Sequence, residues 1–162
     1  MGYTTNFQGS FAFNRPVEQK HVEYIKAFSE TRRMKRNSVI LEQFADPLRV
    51  AVDLPIGIDG EFFVNGVGFY GQGHDESVLN YNASPETQPG LWCQWIINGK
   101  HNTLEWNGGE KFYNYVDWLE YLIKNFFNPW GYYLNGKVEW QGEDEDDHGV
   151  IIVKSNNINL ER

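Results

Sequence analysis

Four cationic side chains fall within five positions, at Arg32, Arg33, Lys35 and Arg36. Guanidinium forks bind phosphate and carboxylate through paired, charge-assisted hydrogen bonds. The chemistry this cluster suggests is therefore anion recognition. Residues 1–36 hold seven Lys/Arg against three Asp/Glu, a net of +4, in a chain whose net charge is −8, so the remainder carries −12. A basic segment on an acidic body reads as a local anion site. The field of the whole chain repels polyphosphates, which makes nucleic acid an unlikely partner and a small anionic ligand the expected one. On a helix, Arg32, Lys35 and Arg36 would share one face at i, i+3 and i+4. The competing reading is structural: cations at a helix C-terminus stabilise the macrodipole by about 0.3–1 kcal/mol each.

A second stretch bears on the same ligand. Residues 66–71 read Gly-Val-Gly-Phe-Tyr-Gly, which fits G-x-G-x-x-G. The dinucleotide fingerprint also needs a preceding strand and a following helix, and here a Gly73-His74-Asp75 loop follows instead. The glycines can still turn backbone N–H groups toward an anion. The expected ligand-binding set is thus Arg32, Arg33 and Arg36 for phosphate, with Gly68, Phe69, Tyr70 and His74 on a loop that covers it.

Other reactive types are weaker. The acidic run Glu143-Asp144-Glu145-Asp146-Asp147 offers oxygen ligands for a divalent cation, but without EF-hand spacing it reads first as a solvated hairpin tip. Metal binding is left open. The four histidines show no close ligand spacing, and His21 sits on an apolar helical stripe. Cys93, flanked by aromatics, reads as a buried thiol. No serine sits in a nucleophile elbow. No catalytic residue and no cofactor are assigned.

The elements that would position these groups follow from periodicity. Residues 3–13 alternate around Gly9, giving a bent strand or hairpin. Asn14 and Pro16 are expected to start a helix with the stripe Val17, His21, Tyr24, Ile25, Phe28, running on through Arg32 or Arg36. Residues 37–90, rich in Pro and Gly, predict short helices near 39–45 and 46–52, a short strand at 61–64 and a long ordered loop whose aromatics argue against disorder. Leu91–Ile97 and His101–Trp106 flank Asn98-Gly99, a hairpin signal. Phe112, Tyr115, Val116, Leu119, Leu122, Ile123 and Phe126 form a second helical stripe, with Tyr113, Trp118 and Tyr121 off it. A second hairpin is expected at Asn135-Gly136, then strand 150–154, a turn at Asn156-Asn157 and a last strand. The class is α+β: an antiparallel sheet of about five to seven strands, two main helices on one face and a long Gly/aromatic loop. All of it fits a single domain, 1–162.

Several blocks carry a resemblance: residues 30–36 (ETRRMKR), 89–95 (PGLWCQW), 105–113 (EWNGGEKFY) and 140–143 (WQGE). Together they resemble an uncharacterised family of small cytosolic proteins in bacterial and phage genomes. The resemblance implies a native single-domain protein and no catalytic residues.

No apolar run approaches the ~20 residues of a membrane span, and the N-terminus lacks a signal pattern. One cysteine excludes an intrachain disulfide. A cytoplasmic protein is the expectation, and a homo-oligomer is compatible with it. The function expected is non-catalytic binding of a small phosphate-bearing ligand such as a nucleotide, including sequestration of a nucleotide signal. The alternatives are a protein–protein interaction or inhibitor module with an acidic-aromatic surface, and a metal-dependent hydrolase.

Overall fold

The computed structural model describes residues 2–66 and 71–162. They form two compact units. The first joins the N-terminal segment to Val17 with Gln94–Arg162, and the second is the continuous segment Glu18–Cys93.

The first unit is built on six antiparallel strands: β1 (Asn6–Phe13), β4 (Trp95–Ile97), β5 (Thr103–Trp106), β6 (Leu134–Gln141), β7 (His148–Lys154) and β8 (Asn157–Glu161). Their order is β4-β5-β1-β6-β7-β8, and the α+β class follows. Alternation decides the faces. Phe7, Phe11 and Phe13 of β1, Val138 and Trp140 of β6, and Ile151 and Val153 of β7 are buried. Asn6, Gln8, Glu139, Gln141 and His148 are exposed on the other face. The inner face is covered by a helix, Tyr115–Leu122, continued by a π turn over Ile123–Phe127. Trp95 Nε1 donates to the Tyr115 carbonyl at 2.8 Å, and the Phe7 and Tyr115 rings meet edge-on at 4.9 Å. Trp118 and Tyr121 are both buried and widen the helix's apolar face, while Tyr113 is exposed.

The second unit carries helix α1 (Gln19–Ser29), α2 (Ser38–Leu41), α3 (Pro47–Ala51) and a two-stranded sheet of β2 (Lys35–Arg36) and β3 (Val78–Asn80). The helix of the first unit is α4. On α1, His21, Tyr24, Ile25 and Phe28 are buried as the stripe predicts, and Tyr24 Oη donates to the Phe62 carbonyl at 2.8 Å.

Several expectations are corrected. Helix α1 begins at Gln19 and ends at Ser29, so Arg32–Arg36 are not helical. Asn14 does not cap it; its side chain accepts from the Tyr133 N–H. At the other end Ser29 and Thr31 turn their hydroxyls back to the Lys26 and Ala27 carbonyls, and beyond them the chain extends, with Arg33 N–H donating to Leu91 O and Lys35 N–H to Ala83 O. Residues 61–64 are turn and coil, not strand. The Asn98-Gly99 hairpin has a longer loop than two residues, closed by Asn98 N–H to Thr103 O with His101 left-handed at φ 61°. Asn135-Gly136 is not a turn at all but lies inside β6, paired with β1 and β7. Gly136 has φ 142°, and a Cβ there would come within 2.7 Å of the Ser10 carbonyl oxygen. Only glycine fits that close approach. The expected turn at Asn156-Asn157 is a tight one, with Ser155 and Asn156 at φ 46° and 70° between β7 and β8, the left-handed pair of a type I′ hairpin. No helix among the described residues is long and apolar enough to cross a membrane.

Candidate functional site

The pairing of β2 with β3 brings the predicted cationic side chains next to the segment containing His74. Lys35 pairs with Asn80 and Arg36 with Val78. Arg32 and Arg33 precede the short strand and Arg36 lies in it, and the three arginines meet three different environments.

Arg33 is 3 % exposed. One of its amino groups donates to the carbonyls of Glu61 and Phe63, at 2.8 and 2.7 Å, and its guanidinium lies 4.2 Å over the Phe28 ring. It therefore holds the 61–63 segment against α1. That segment has no strand partner, so its carbonyls need such a donor. Arg36 is 2 % exposed. Its Nη1 donates to Asp75 at 2.9 Å and to Ser77 Oγ at 2.8 Å. Ser77 in turn donates N–H and hydroxyl to the same carboxylate. Burial pushes the Asp75 carboxyl up, but the hydrogen bonds from Ser77 and Arg36 outweigh it and hold the group below its ordinary 3.8. Among the described residues Arg36 Nη2 meets no acceptor, and it sits beside Gly66, where a Cβ would lie 3.3 Å away. Gly66 and Gly71 approach each other closely, and a Cβ on Gly71 would press on Thr31 Cγ2 at 2.7 Å.

Arg32 differs. It is half-buried, and its Nε donates to the Tyr81 carbonyl at 3.1 Å. The guanidinium lies 4.2 Å over the Tyr81 ring. The imidazole of exposed His74 stacks on the same ring at 4.9 Å and 15°. No carboxylate among the described residues engages Arg32, so its terminal amino groups remain available. Three groups thus form one platform: a cation fixed by a ring and a carbonyl, the ring itself, and an imidazole.

Of the predicted set, Arg32 and His74 are brought together. Arg33 and Arg36 are internal, and Gly68, Phe69 and Tyr70 lie outside the described residues. The sequence places Asp75 beside His74, as a candidate group of the hydrolase alternative, and Tyr81 at the end of the covering loop, and it gives Ser77 no role. Asp-x-Ser is a local turn signal, but nothing in the sequence pairs it with Arg36. The contact of Tyr81 with Arg32 is legible only once β2 and β3 are known to pair.

A second polar cluster flanks the same unit. Asp46 accepts from Arg49 at 2.9 Å and from the Val64 N–H at 3.3 Å. Burial raises its pKa against the pull of Arg49.

The acidic run lies in the first unit and does more than cap a hairpin. Asp147 accepts from Tyr3 Oη at 2.7 Å and from Trp140 Nε1 at 3.1 Å, Asp144 N–H donates to Tyr3 Oη, and Glu143 accepts from Thr4 N–H. The Tyr3 and Trp140 hydrogen bonds hold the Asp147 carboxyl below its ordinary value. Among the described residues no group of three or more His, Cys, Asp or Glu is placed to hold a metal ion. No family model, curated protein or solved structure matches the chain.

Proposed function

We propose that the protein binds a small phosphate-bearing ligand such as a nucleotide, without catalysis, on the platform of Arg32, Tyr81 and His74. The observation that carries this reading is the state of Arg32. Its guanidinium is pre-positioned over Tyr81, yet no carboxylate among the described residues neutralises it. A pre-organised, partly exposed fork gives up little freedom when it meets a phosphate. With Tyr81 engaged by both neighbours, the exposed His74 ring is the surface that a flat base can stack on. Arg36 and Arg33 serve the reading indirectly, by fixing the segments on either side.

The test is calorimetry with adenosine, AMP, ADP and inorganic phosphate. Phosphorylated ligands should bind and adenosine should not. A charge-assisted contact contributes about 1.5–3 kcal/mol, so Arg32→Ala should weaken AMP binding about 10- to 100-fold. Equal binding of AMP and adenosine, or an Arg32→Ala variant that binds like the wild type, would sink the proposal.

One observation favours the protein-interaction reading instead. Val39, Ile58 and Leu79 are exposed by 70, 52 and 57 %. Val39 and Ile58 belong to neighbouring segments, since Ser38 Oγ donates to the Gly57 carbonyl at 2.8 Å. Exposed apolar groups in one unit suit a partner surface. That reading predicts silence with every nucleotide.

A further inference from the structure

The open face of the first unit's sheet holds a groove of about 430 Å³ at the end where β1, β6, β7 and β8 lie side by side. Its position follows from register. One row across the strands is Gln8, Glu139, Val150, Glu161, and the next is Asn6, Gln141, His148. Strands lie ~4.8 Å apart, and same-face rows follow every second residue, ~6.8 Å along the chain. The groove is therefore a lattice of polar side chains around one aliphatic one.

Apart from Gln141, the polar side chains of these rows are unengaged among the described residues. Cross-strand neighbours of complementary type ordinarily pair. Here Gln8 stands opposite Glu139, yet the side chains of Asn6, Gln8, Glu139, His148 and Glu161 make no hydrogen bond or ion pair among the described residues. The frame behind them is fixed. Gln141 donates its amide to the Gly142 and Asp144 carbonyls, at 3.1 and 3.2 Å, and Trp140 is tied to Asp147. Gly149 leaves room for the Trp140 ring, which a Cβ would strike. The guanidinium of Arg162 lies 5.7 Å from the centre of that ring.

We infer that this groove binds a neutral, polyhydroxylated ligand, a mono- or disaccharide. Amides at Asn6 and Gln8 each offer a donor and an acceptor, as sugar hydroxyls require, and the carboxylates of Glu139 and Glu161 each accept from more than one hydroxyl. Val150 between them offers a C–H surface for the apolar side of a pyranose. The two glutamates repel a phosphate. The volume falls within the range of small-ligand sites. This site is independent of the Arg32 platform.

The experiment is an NMR titration of the whole chain with glucose, galactose, mannose, N-acetylglucosamine and their disaccharides, with spermidine and inorganic phosphate as competing probes. The expected result is saturable shifts of the Gln8, Glu139 and Val150 amides with at least one sugar. Gln8→Ala and Glu139→Gln should each weaken the binding about tenfold, and phosphate should not compete. Both positions are exposed, so the variants are expected to fold; Asn6→Ala provides a third should either fail. No saturable shift with any sugar overturns the inference. So does sugar binding indifferent to the variants, or saturation by spermidine alone, which would make the groove a cation site.

Discussion

At the residue scale, the basic cluster divides by side-chain environment rather than by helical face. Arg36 and Asp75 are 2 % and 13 % exposed at their side chains. Removing one member of such a pair leaves a buried charge without its partner, which costs about 3–5 kcal/mol. Asp75→Ala should lower the urea midpoint accordingly, whereas Arg32→Ala should leave it nearly unchanged, as substitutions away from buried networks do. Equal losses in the two variants would mean that Arg32 is structural as well. The sequence displayed the density of charge and the presence of an aromatic glycine loop. It could not display which guanidinium would be neutralised from within. That depends on Asp75 arriving opposite Arg36 through the β2–β3 pairing, and strands of two and three residues carry almost no periodic signal.

At the element scale, periodicity was informative where segments were long. The stripe of α4 is real, and its central residues Leu119 and Leu122 are fully buried. Leu119→Ala should destabilise by about 2–5 kcal/mol through lost transfer free energy and the cavity left behind, read as a shift of the denaturant midpoint. Turn signals were less dependable. Asn156 turns the chain because Ser155 and Asn156 adopt left-handed backbone at a tight hairpin, whereas Gly136 is a glycine for another reason, the approach of β1 at its Cα. Sequence alone does not separate a glycine needed for a turn from one needed for room. The acidic run shows the same limit. Its composition suggests a solvated tip, but Asp147 is bonded to Tyr3 and Trp140. Asp146 makes no such contact among the described residues. Thermal melts of the two single variants should separate them: Asp147→Ala should lower the midpoint clearly, and Asp146→Ala should stay within about 0.5 kcal/mol of the wild type. Matching melts would restore the picture of a dispensable tip.

At the scale of the whole molecule, three carboxylates shape the pH dependence of stability, and two of them within the second unit, Asp46 and Asp75, push it in opposite directions. Asp75 and Asp147 have folded-state pKa values below the ordinary 3.8. Their contribution is fully present above the unfolded value and is lost as pH falls through the folded one, because the unfolded chain then binds protons first. Asp46 has a folded-state pKa above 3.8, since burial penalises its charge more than Arg49 relieves it. The native state therefore takes up that proton first, and stability rises as pH falls through the folded pKa of Asp46 toward 3.8. A net charge of −8 adds to the same rise, because protonating carboxylates relieves self-repulsion. Stability should consequently peak on the acid side of neutrality and fall steeply once pH drops below the ordinary carboxylate range. Urea midpoints measured from pH 7 to pH 3 should trace that maximum. Asp46→Asn should flatten the rise on its neutral side without removing the acid limb, and Asp75→Asn should make the acid limb shallower while leaving the rise in place. Profiles of both variants parallel to that of the wild type would show that neither carboxylate is held away from its ordinary pKa, and the buried networks around Arg49 and Arg36 would then have to be redrawn.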